Sequence, residues 1–200
     1  MADWYRKTEW SEVIAAEFET RLARSRTQKA QYLSLQGQAL IATNPRVAVG
    51  LLERAVALND EFETTRAAGY LAQARLALGE IDGALAAYEF ALGAQLRQPN
   101  IVGGAAADYA FVIGWFERRD RLDAALPIVE AIPTVSVFGP DPQMLATRAL
   151  VFDLAGRRGE ARQAAEAALP HFDMLGDADA LGISVSGLRE RLADIVEAAA

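Results

Sequence analysis

Along this chain apolar side chains recur at steps of three and four, the spacing that places them on one face of an α-helix. Leu71, Ala72 and Leu78 lead into Gly79-Glu80-Ile81-Asp82-Gly83, and Ala84, Tyr88 and Ala91 follow. Leu145, Ala149 and Phe152 lead into Ala155-Gly156-Arg157-Arg158-Gly159, and Ala161, Ala165 and Ala168 repeat the same steps. An earlier segment offers Tyr32, Leu35 and Ala39, a turn at Thr43-Asn44-Pro45, then Ala48, Leu52 and Ala55. Between these, Tyr109, Val112 and Phe116 precede a turn near Arg119-Asp120-Arg121, then Ala125, Val129 and Ile132. Each segment reads as helix, turn, helix. The alanines opening the second helices stand at 48, 84, 125 and 161, intervals of 36, 41 and 36 residues.

A small residue at that position lets one helix backbone approach the other, toward the short end of the usual ~8–10 Å separation. Each hairpin alone would leave an apolar face in water, so the hairpins are expected to stack. Gly79 and Gly156 suit the positive-φ position just past a helix end. Pro45 is expected to stop one helix and start the next. The ends differ from the middle. Trp10, Ile14, Phe18 and Leu22 describe an amphipathic first helix, and Leu181, Val185, Leu188, Leu192 and Ile195 a last one with Asp194 and Glu197 outside. Three prolines between Pro133 and Pro142 bar a continuous helix there, leaving Val135, Val137 and Phe138 to fold back or to await a partner.

The segment Ala77-Leu78-Gly79-Glu80-Ile81-Asp82-Gly83-Ala84-Leu85, with Tyr88-Glu89-Phe90-Ala91-Leu92, resembles the turn and second helix of the tetratricopeptide repeat family. The resemblance runs from Lys29 to Pro170. Tyr32 and Tyr109 match the family's early aromatic, Ala68 and Leu145 replace it elsewhere, and the repeat-closing proline comes late, at Pro99. It implies an all-α fold: a right-handed α-solenoid of about four helix-turn-helix hairpins in a single domain spanning 1–200. Residues 1–28 would form an N-terminal capping helix, 29–170 the hairpins and 171–200 a C-terminal capping helix. It also implies a concave face lined by first helices: Leu33, Gly37 and Leu40, then Arg66, Tyr70 and Gln73, then Phe111, Gly114 and Arg118, then Thr147, Leu150 and Asp153. Leu33, Gly37, Ala107 and Phe111 stand where chaperone-binding members carry polar clamp residues, which disfavours capture of a C-terminal carboxylate.

Composition narrows the chemistry. The apolar fraction of 52% with 24% charged residues is that of a globular chain. With 27 acidic against 20 basic residues the net charge is −7, a handicap for binding nucleic acid. The one local basic run, Arg21, Arg24, Arg26 and Lys29, has Glu9, Glu12, Glu17 and Glu19 close by in sequence and reads as a solvated helix end. Eighteen of the 20 basic residues are arginine, usage expected of a GC-rich bacterial coding sequence. The chain opens on polar and aromatic residues and has no run of the ~18 apolar residues needed to span a bilayer, so a cytoplasmic location is expected.

Catalytic and metal-binding motifs are lacking. There is no cysteine and one histidine, His171, which excludes thiolate zinc sites, a thiol nucleophile and any two-histidine site. Gly103-Gly104 lacks the lysine and hydroxyl residue of a phosphate loop. Asp173, Asp177 and Asp179 lack the glycine and glutamate of a calcium loop. His171 has no nucleophile to activate. Trp115, Phe111 and Phe116 read as core between hairpins. No cofactor and no metal are expected, and the protein reads as a non-enzymatic module holding a peptide or helical segment against Arg66, Tyr70, Gln73, Phe111, Arg118, Thr147 and Asp153. Trp4, Tyr5 and Trp10 either cap the stack or meet a second subunit. The second choice gives the alternative of a self-assembling structural protein, a homodimer through its aromatic N-terminus.

Overall fold

Helix boundaries follow from chemistry that the chain supplies locally. The computed structural model describes residues 4–97, 104–136, 139–172 and 183–198. Pro99, Gly103, Val137, Phe138, Asp173, Asp177, Asp179 and Leu181 lie outside them. Among the described residues there are ten α-helices: α1 (Glu12–Arg24), α2 (Lys29–Leu40), α3 (Pro45–Ala57), α4 (Thr64–Ala77), α5 (Ile81–Arg97), α6 (Ala105–Trp115), α7 (Leu122–Ala131), α8 (Pro142–Leu154), α9 (Arg158–Phe172) and α10 (Val185–Ala198). Ser11 caps α1 by accepting the Ile14 amide at 3.3 Å, and Asp141 caps α8 by accepting that of Met144 at 3.1 Å. Pro45 and Pro142 each open a helix, where a missing N–H costs nothing.

Contacts gather the chain into two compact units, Met1–Ala105 and Ala106–Ala200. In the first, α2 packs along α3, α3 against α4, and α4 along α5. Ala48 and Ala84 are fully buried at these crossings, as their spacing predicts. Gly37 brings α2 close to α3: a Cβ there would lie 2.6 Å from Leu52 Cγ. Phe18 and Leu22 are buried from α1. The chain before α1 is held by Gln36, a fully buried side chain that accepts the Lys7 amide at 3.0 Å and donates to the Lys7 carbonyl at 2.7 Å. A buried amide must find both partners, so this pairing fixes where the N-terminal segment lies.

In the second unit α8 packs along α9, α10 against α9 and α8, and α7 against α8. Ala125 and Ala161 are again fully buried. Gly114 brings α6 onto α8, where a Cβ would come within 2.8 Å of Leu150 Cβ and 3.2 Å of the α8 backbone.

Three first helices end in one hydrogen-bond pattern. After α4, the Gly79 amide donates to Leu76 O and the Glu80 amide to Arg75 O, with Gly79 at φ +74°. After α8, Gly156 and Arg157 do the same toward Asp153 and Phe152, again with φ +74°. Both glycines therefore sit where the sequence puts them. After α6 the motif recurs without glycine: Glu117, at φ +51°, donates to Gly114 O, and Arg118 to Ile113 O. The Glu117 carboxylate takes Arg191 of α10. That ion pair accompanies the left-handed backbone of a residue that disfavours it.

The proline-rich segment folds back on itself. Val135–Ser136 pairs antiparallel with Gly139–Pro140, the Asp141 amide donates to Thr134 O at 2.8 Å, and Gly139 turns at φ +109°. Val135 stays 64% exposed.

Candidate binding surfaces

The row expected to face a ligand divides. On α4, Ala67, Ala68, Leu71, Ala72 and Ala74 are buried, which turns Arg66, Tyr70 and Gln73 outward at steps of four and three. Arg66 is exposed, while Tyr70 and Gln73 are half-buried. The Arg66 guanidinium is forked onto the Glu63 carboxylate, which pushes its pKa further up. The pairing fixes the orientation of a cation that still carries a solvent-facing edge.

The remaining positions of that row are packed. Phe111 is 4% exposed, its ring stacked on Trp115 at 6.3 Å, and Thr147 is fully buried with its hydroxyl donating to Gln143 O at 2.7 Å. Leu33, Leu40 and Leu150 are buried, and Gly37 and Gly114 are the close crossings described above. The cause is helix rotation: side chains three and four apart share a face, so the register chosen for an open face on α2, α6 and α8 is the one the neighbouring helix covers. Arg118 is half-buried and gives two 3.0 Å hydrogen bonds to Asp120, which hold that carboxyl below its ordinary pKa. Asp153 is half-buried in the last turn of α8. Of the expected aromatic core, Phe116 stands exposed at 37%. His171 lies half-buried in the last turn of α9.

The N-terminal aromatics lie on their own chain. Trp4 meets Tyr32 at 4.8 Å and Phe18 at 5.4 Å, Tyr5 meets Tyr32 at 4.8 Å, and Trp10 meets Phe18 at 5.7 Å. All three rings are half-buried there. Beside them Trp4 and Tyr32, with Arg21, Arg24, Arg26 and Gln28, line a cavity of about 300 Å³ at the corner between α1 and α2. The acidic neighbours counted against these arginines in the sequence divide. Glu19 forms a two-bond fork with Arg54 of α3 at 2.6 and 3.0 Å, which lowers its pKa, and Glu17 takes Arg21. Helical phase separates Glu19 from Arg24, which lies five residues on and not three or four.

The second unit holds another arginine-lined cavity, of about 390 Å³, beside α7, α8 and α9. Arg148 closes the end of α7, donating to Val129 O at 2.7 Å and Ile132 O at 3.2 Å. Arg157 lies 4.2 Å over the Phe152 ring and pairs with both Glu130 and Glu160. Hydrogen bonds from Arg157 hold Glu160 below the usual carboxylate range, so at neutral pH it is ionised and has no proton to give. Glu160 stands at the i,i+3 spacing of a helix pair, but nothing in the local sequence signals Glu130, 27 residues from Arg157.

Among the described residues no group of three metal-ligating side chains occurs, and no helix is long and apolar enough to cross a membrane. No protein-family model, no curated protein and no solved structure matches this chain.

Proposed function

We propose that this protein is a non-enzymatic interaction module that holds a peptide or helical segment of another protein, with Arg66, Tyr70 and Gln73 of α4 as contact residues. The observation that carries the reading is the outward row on α4: a cation, a phenol and an amide on a helix anchored by its buried alanines. Arg66 is already held by Glu63 and a tyrosine has few rotatable bonds, which lowers the ordering cost of recognition through this row. The resemblance to tetratricopeptide repeats supports it, since first helices supply the recognition face in that family. Phe111 and Thr147 drop out of the contact set because they are buried.

The test is affinity capture with the full chain beside an Arg66→Ala/Tyr70→Ala/Gln73→Ala variant shown to be folded by circular dichroism. A protein retained by the wild type and lost by the variant is the expected result. Identical sets of retained proteins would overturn the assignment to α4.

A further inference from the structure

Among the described residues several arginines are committed to carboxylates of the same chain: Arg54 to Glu19, Arg75 to Glu53, Arg162 to Glu166, Arg191 to Glu117. Arg24 and Arg26 are exposed and make no ion pair among the described residues, as is true of Arg46, Arg97 and Arg158, but Arg24 and Arg26 line one cavity together. They also lie in an unusual stretch. From Thr20 to Leu52 there is no aspartate or glutamate, while Arg21, Arg24, Arg26, Lys29 and Arg46 supply five positive charges, in a chain whose net charge is −7. Arg21 is answered by Glu17, and Arg21 and Arg24 face the carbonyl end of α1, but Arg26 and Lys29 add further like charge at the same corner.

The corner is concave and its walls are fixed. Arg21 lies over the Trp4 ring at 5.8 Å, and the Tyr32 hydroxyl donates to Gln28 at 2.6 Å. At the same corner a second cavity, of about 440 Å³, is lined by Leu22, Leu33 and Leu58 together with Lys29 and the Glu19–Arg54 ion pair. Arg21 and Leu22 are consecutive residues, as are Gln28 and Lys29, so the two hollows begin one residue apart.

We propose that this corner docks an acidic segment of a partner protein, its carboxylates taken by Arg24 and Arg26 and a neighbouring apolar side chain by the hollow at Leu22, Leu33 and Leu58. Guanidinium forks match carboxylates in shape and charge, and arginine clusters are a standard means of reading acidic motifs. A long polyanion such as RNA is disfavoured because the rest of the chain is acidic and repels it, whereas a short acidic segment meets only the corner. The inference rests on the reading of the protein as an interaction module, and adds to it a second surface and the charge of the partner.

The experiment is fluorescence anisotropy of a short fluorescein-labelled peptide of glutamates with interspersed leucines, titrated with the full chain. The wild type binds it with an affinity that falls as salt rises, and Arg24→Gln/Arg26→Gln binds at least about tenfold more weakly. The double variant keeps the wild-type melting curve, and Arg66→Ala/Tyr70→Ala binds the peptide as the wild type does. The proposal is overturned if the wild type does not bind the peptide, if the arginine variant binds it equally well, or if a labelled oligouridine binds this corner more tightly. Peptide binding lost only in the α4 variant would refute the corner and leave the α4 reading standing. A corner-dependent peptide with α4 capture negative would do the reverse.

Discussion

The arginines beside α8 and those at the α1–α2 corner occupy similar hollows and do opposite things. Arg148 and Arg157 are saturated by carbonyls, carboxylates and an aromatic face of their own unit. Among the described residues Arg24 and Arg26 have no such partners. The first pair explains itself through stability. An unpartnered pair in an acidic protein does not, and a residue type that is structural in one hollow is available for recognition in the other.

Substitutions that break the packing of each unit sharpen the contrast, beginning with the helix crossings. Gly114→Ala should cost about 3 kcal/mol, because its methyl would meet Leu150 Cβ and the α8 backbone, which cannot yield. Gly37→Ala should cost about 2 kcal/mol, since its methyl meets Cγ of the fully buried Leu52 at 2.6 Å, offset in part by a gain in helix propensity. Urea unfolding checks both, and equal costs would contradict the close α6–α8 approach. At the turns, Gly79→Ala and Gly156→Ala should each lose about 1 kcal/mol for a left-handed backbone with a side chain. Glu117→Gly should gain less than that, because relief of strain is offset by loss of the Arg191 pair.

The smallest effect is a pH dependence. Arg54 depresses the Glu19 pKa in the folded state, so the pair stabilises the fold above the ordinary glutamate value of about 4.3 and is lost as pH falls through the lower folded value. Both side chains are about half exposed, which keeps the contribution below about 1 kcal/mol. Glu19→Gln should remove that part of the acid-side slope, and an unchanged slope would show that the fork is not populated in solution.

The sequence made the hairpins legible because their signals are local. Alanines at 48, 84, 125 and 161 are buried, Pro45 opens α3, and Gly79 and Gly156 turn with positive φ. It could not reveal Glu117 in the same role, since glycine-based turn signals do not register a residue held there against its preference. The open face was legible on α4 but not on α6 or α8, where the choice between outward and packed depends on helix rotation. Charge counting by proximity held only in part at the corner: Glu17 pairs with Arg21, four residues on, but Glu19 is spent on Arg54, 35 residues away. Long side chains choose partners in three dimensions, and Gln36 reaching Lys7 is another instance.

The most direct test sets the two arginine hollows side by side in urea unfolding. Arg148→Met removes two charge-assisted hydrogen bonds to the end of α7 and should cost about 2 kcal/mol. Arg24→Gln/Arg26→Gln should leave the unfolding midpoint unchanged. A loss at the corner as large as that at Arg148 would mean that Arg24 and Arg26 are structural, contradicting the account.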